Sequence, residues 1–150
     1  MVRIAEIEQG SIADELRLEI GTRVVRIDGE RVCDGIDLTF MLSDTEFELE
    51  TEGPDGEKVI YEIERDPGTP VGIVPEPDTI RECANKCVFC FIDGNPQDVR
   101  ESLWLRDDDF RLSFTYGSYV TLTNLGPKGI QRRVDQRISP LYVSVHATEP

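Results

Sequence analysis

The chain has 150 residues, 39% hydrophobic and 31% charged, a balance that suits one globular domain or two small ones and not a disordered or membrane-embedded chain. Its net charge of −14 is concentrated in residues 1–70, where 19 acidic side chains face 7 basic ones, so the front half repels nucleic acid and anionic membrane. No apolar run approaches the roughly 18 residues of a membrane span, and Met1-Val2-Arg3-Ile4-Ala5-Glu6 lacks a secretory signal pattern, which places the expected location in the cytoplasm.

Taken in order, Val2 to Glu8 alternates as a short strand, and Gly10 punctuates it before Ser11, which can cap a helix with Ile12, Leu16 and Ile20 facing inward and Gly21 closing it. Val24, Val25 and Ile27 form a strand that turns through Asp28-Gly29 into Glu30-Arg31-Val32, a hairpin. Leu38, Met41 and Leu42 have helical spacing. Phe47–Glu50 and Val59–Glu64 then alternate on either side of Gly53-Pro54-Asp55-Gly56, a second hairpin.

This order, together with Gly10-Ser11-Ile12-Ala13 and Ile20-Gly21-Thr22-Arg23-Val24-Val25-Arg26-Ile27-Asp28-Gly29-Glu30-Arg31-Val32, resembles a bacterial PDZ domain over residues 1 to about 74. The resemblance implies an α+β domain that catches a peptide or protein partner by adding a strand. The carboxylate-holding loop of that family comes before its first strand, and here only Val71-Gly72-Ile73-Val74 can replace it, in a permuted arrangement. Four prolines between Asp66 and Asp78 mark a boundary, giving a PDZ-like domain at 1–74 and a second segment at 75–150.

Four cysteines occur, and Cys83, Cys87 and Cys90 fall within eight residues as Cys-x3-Cys-x2-Cys. Without an export signal such a cluster points to metal or redox chemistry and not to disulfides, while Cys33 reads as a small buried side chain. Three thiolates on one short loop can each take one iron of a [4Fe–4S] cluster, leaving the fourth iron open. Zinc, with His146 as a fourth ligand, is the competing reading, although structural zinc sites more often use paired Cys-x2-Cys knuckles; thiols without metal are a third.

The cysteine segment, with Phe89 just before its last cysteine, resembles radical S-adenosylmethionine (SAM) enzymes. That resemblance implies SAM chelated by the open iron, reductive cleavage to a 5′-deoxyadenosyl radical, an electron donor and Phe89 against the adenine. It also implies polar residues at the end of the second strand holding the methionyl group. Here Thr123 and Asn124 occupy that place in Thr121-Leu122-Thr123-Asn124, a departure from the family's Gly-Gly-Glu.

Beyond the cysteines, Arg100–Leu105 reads as a helical turn or short strand, and Arg106-Asp107-Asp108-Asp109 as a solvated loop, or else as a cap for Phe110–Phe114 or a group that orients a basic substrate. Tyr119–Asn124 has the composition of a buried strand. Ile130, Val134 and Ile138 predict an amphipathic helix, and Leu141–His146 alternates as another strand. Strand, helix, strand is a βαβ unit suited to a (β/α) barrel. In it Leu141, Val143 and Val145 are expected to face outer helices, and Tyr142, Ser144 and His146 a lumen holding cofactor and substrate.

The segments Cys83–Asp93, Arg106–Phe114, Thr121–Leu125 and Ser139–Thr148 together are similar to a radical SAM family with an N-terminal PDZ-like domain and a C-terminal domain of unknown function, the DUF512 group. This implies a relation to iron–sulfur oxidoreductases and an α/β segment that is the first part of a partial (β/α)6 barrel, with the sequence stopping inside it. The competing function is a PDZ-like binding module whose cysteine loop is structural and not catalytic.

Overall fold

In the computed structural model, which describes residues 1–146, the chain divides after Asp78 into two units. Alternation of apolar and charged residues builds the first. Val2 and Ile4 turn inward from β1 (Val2–Ile7), Val24 and Ile27 from β2 (Arg23–Ile27), and Phe47 and Leu49 from β4 (Glu46–Glu52), while Arg3, Glu46 and Glu48 point to solvent. With β3 (Glu30–Arg31) on β2, and with β5 (Lys58–Glu64) and β6 (Ile73–Pro75), they form an antiparallel sheet in the order β5-β4-β2-β1-β6. Between strands lie α1 (Ile12–Glu15), capped by the Ser11 hydroxyl, and α2 (Gly35–Met41), capped by the Asp34 carboxylate accepting from the Asp37 amide at 3.0 Å.

Asp28 and Gly29 both have positive φ, 50° and 74°, and make the tight hairpin turn. Ile20, expected inward, is exposed: α1 stops at Glu15, Arg17 takes a positive φ, and Leu18 fills the core position with its amide bonded to Ala13. The strand β6 lies against β1, with Ile4 opposite Pro75 and Ile7 opposite Ile73, so position 74 falls inside a strand of the first unit. Just before it, Gly72 passes so near Ser11 that a Cβ there would sit 2.2 Å from that residue's own Cβ.

The second unit contains α3 (Phe110–Tyr116), β7 (Tyr119–Val120), α4 (Pro127–Asp135) and β8 (Tyr142–Val143), with β7 and β8 parallel. A 3₁₀ turn covers Glu101–Trp104. The expected strand at 119–124 stops after Val120 because Leu122, at φ 61°, turns the chain. The amphipathic helix forms, but Ile130 and Val134 are 52% and 63% exposed while Arg133 is buried, its guanidinium 3.3 Å from the centroid of buried Phe110. A cation stacked on an aromatic ring, with Ile138 beyond the helix, takes the inward place. The aspartate run is likewise not solvated: Asp108 and Asp109 are 2% and 1% exposed.

Candidate functional site

The cysteine loop starts from a short antiparallel pairing. Glu82 bridges Asp107, the Cys83 amide donates to the Arg106 carbonyl at 2.7 Å, and the Asp108 amide donates to the Arg81 carbonyl at 2.9 Å. The side-chain amide of Asn124 donates to the Asp108 carbonyl at 2.8 Å and to the Glu82 carbonyl at 3.4 Å, stitching both segments together; its Oδ1 is buried without a hydrogen-bond partner. Asp109 caps α3 and accepts from the amides of Arg81 and Arg111, each at 3.0 Å, and from the Arg111 guanidinium. Burial alone would raise its carboxyl pKa, but the Arg111 hydrogen bonds, the Arg81 amide and the Arg111 charge together hold it below the ordinary value.

From this base the loop passes through Cys83, Cys87 and Cys90, all half-buried free thiols. They line one cavity of about 430 Å³, with Asn85, Phe89, Phe91, Asp107, Thr121, Ser144 and His146 among its walls. Phe89 and His146 approach with ring centroids 5.2 Å apart, and the Ser144 hydroxyl lies 3.1 Å from His146 Nε2. Two residues expected to face the lumen, Ser144 and His146, therefore do line the cavity. Tyr142 instead packs edge-on against Tyr119 at 6.5 Å, and Val143 and Val145 are exposed. Thr123 and Asn124 are not cavity-lining residues; the Thr123 hydroxyl accepts from Asn85 at 2.8 Å, and Asn124 serves the two carbonyls above.

Asn85, Thr121 and Asp108 were missed as site residues by sequence reasoning. The available signal was a polar residue midway between two cysteines, and a Thr-x-Thr directly after a short apolar strand. The expected tail of the last segment, Ala147-Thr148, lies outside the described residues.

Three free thiols, soft donors that open on one cavity, suit iron–sulfur chemistry. Among the described residues, no group of three or more His, Cys, Asp or Glu side chains is gathered so as to hold a metal ion. Three cysteine thiols fit an iron–sulfur cluster by the chemistry of the donors alone. No helix among the described residues is long and apolar enough to cross a membrane.

No curated protein matches the chain. A family model described as a radical SAM-like domain matches residues 65–150, more than half of the sequence and all of the cysteine site, and the chain belongs to that family.

Proposed function

We propose that this chain is a radical SAM iron–sulfur protein in which Cys83, Cys87 and Cys90 ligate a [4Fe–4S] cluster and the adjoining cavity receives SAM. The observation that carries this reading is the three free, half-buried thiols on the wall of one 430 Å³ cavity, inside the segment that matches the family. When bound, the cluster would supply one electron, received from an external donor, to cleave the SAM sulfonium reductively to a 5′-deoxyadenosyl radical. Phe89 and His146 offer flat surfaces to a cofactor base, and Phe91 and Ile92 add apolar wall to the same cavity. Thr123 and Asn124 contribute through the loop they hold.

The first unit is proposed to be PDZ-like, of the DUF512-associated type, and to recruit a peptide in the cytoplasm. Support comes from its element order and from β6, which closes the sheet with β1 as its one partner in it. If so, a pool of peptides with varied C-termini should shift the amide resonances of residues 71–74, and an unmoved spectrum removes the peptide reading.

Anaerobic reconstitution with iron and sulfide decides the main proposal. About four irons per chain are expected, with visible charge-transfer absorption, and replacement of any one of the three cysteines by Ala should abolish stable loading. Zinc in the anaerobically purified protein, or iron retained by all three variants, would sink it. A purely structural cysteine loop is not favoured by the family match.

A further inference from the structure

The loop from Cys83 to Cys90 has little order of its own. Residues 84–87 belong to no helix or strand, and its internal turn is the Cys90 amide donating to the Cys87 carbonyl at 3.1 Å. Midway between the first two thiols stands Asn85, whose side-chain amide donates to Thr123 Oγ1 at 2.8 Å and to Thr121 Oγ1 at 3.2 Å. Those hydroxyl oxygens are 2.8 Å apart. Buried Asp108 anchors the other end, one carboxylate oxygen accepting from the Thr121 amide at 2.6 Å and the other from its hydroxyl at 2.8 Å.

Proton accounting gives the chain a direction. A carboxylate can only accept, so the single hydroxyl proton of Thr121 is committed to Asp108. Thr121 Oγ1 must then receive the Thr123 proton, and the free lone pair of Thr123 receives Asn85. Thr121 Oγ1 is also reached directly by the Asn85 amide at 3.2 Å and by the Thr123 backbone amide at 3.3 Å, so the groups form a small closed network, stiffer than isolated surface hydrogen bonds. Leu122 makes the series possible: in an extended strand the side chains of 121 and 123 would stand about 6.6 Å apart, and its left-handed φ closes that gap.

We propose that Asn85 is a positioning residue: through Thr123 and Thr121 it fastens the middle of the Cys83–Cys90 loop to buried Asp108, holding the thiols toward the cavity before any metal arrives. Its meaning for cluster assembly rests on the radical SAM reading; the fastening itself does not.

The test uses the full chain, reduced and metal-free, and follows amide hydrogen exchange of residues 84–88 together with alkylation rates of the thiols, with exposed Cys33 as internal control. Asn85→Ala and Thr123→Val should each raise loop exchange and alkylation of Cys83 and Cys87 about fivefold, the loss expected for one hydrogen-bonded link. Exchange in α3 should not change. Thr123→Ser, which keeps the hydroxyl, should behave as the parent, and the double variant Asn85→Ala with Thr123→Val should be no faster than Asn85→Ala alone, since Thr123→Val leaves the direct Asn85–Thr121 bond at 3.2 Å. The proposal is overturned if Asn85→Ala leaves the loop rates unchanged, if Thr123→Ser is as fast as Thr123→Val, or if the two effects multiply. Should Asn85→Ala also open α3, the contrast of Val with Ser at 123 decides. Iron loading of the same parent protein separates the two ideas: a parent that takes no iron but shows the fivefold effects refutes the cluster and keeps the tether, and an iron-loading parent with unaltered variants does the reverse.

Discussion

At the scale of single residues, Asp109 has the most exposed consequence in solution. Its carboxyl binds a proton more weakly in the folded chain than in the unfolded one, so its contribution is fully present at neutral pH and is lost as pH falls through and below about 4. Asp109→Asn should therefore cost about 1.5–3 kcal/mol at pH 7, because it removes the charge that faces the Arg111 guanidinium, while the Asn side chain can still cap α3. The cost of the same substitution should shrink as the pH is lowered from 7 to about 3, and urea titrations at the two pH values measure the difference. Gly72 is the second such position. Its φ of 78° disfavours any side chain, and a Cβ would overlap Ser11, so Gly72→Ala should lose about 2–5 kcal/mol in the same assay. A capping role for the aspartate run is among the readings its sequence allows, and Asp109 fills it; its burial was not legible, because a triple aspartate looks solvated until Thr121, Arg81 and Arg111 are placed around it, and all but one of them are distant in sequence.

At the scale of elements, the pattern of two was easier to read than the pattern of three and a half. Alternation located the β2–β3 and β4–β5 hairpins because each has one wet and one dry face, and Asp28-Gly29 marks its own turn chemically. Helix α4 shows the limit. Its apolar stripe at Ile130 and Val134 implied a buried face, yet what lies against it is Arg133 on Phe110, a pairing that hydrophobic periodicity cannot register. The cysteine loop was legible from spacing alone, whereas the Asn85 fastening depends on a turn at Leu122 that no composition rule anticipates. One flaw in the sheet is itself predictive. Glu46 stands opposite Glu64, and Glu48 opposite Glu62, all exposed on paired strands. Facing like charges destabilise, so Glu62→Lys should gain about 0.2–1 kcal/mol, and the gain should shrink in 1 M salt where screening replaces it.

At the scale of the whole molecule, the two units are held by different means. Twelve buried apolar residues form the core of the first. In the second, Phe110, Val120 and Ile138 are the buried apolar side chains among the described residues, accompanied by the buried polar groups Asp108, Asp109, Ser113 and Arg133. A small unit with so thin a core benefits from a staple, and a bound cluster would provide one. Loading iron anaerobically should thus raise the unfolding midpoint of the second unit by about 5 °C or more. Backbone amide exchange across α3 and α4, followed on heating, reads that midpoint directly, and an unchanged value would count against metal as a stabiliser.

The place of β1 in the first sheet, with β6 as its outer neighbour, also bears on how the chain is made. Of these two strands β1 is made first, and it receives that neighbour only after some seventy further residues have been added, on the order of 4–14 s at ordinary elongation rates. During that interval one flank of β1 offers bare amides and carbonyls to any passing polypeptide, so slow codons between β5 and β6 would prolong a vulnerable stage of synthesis.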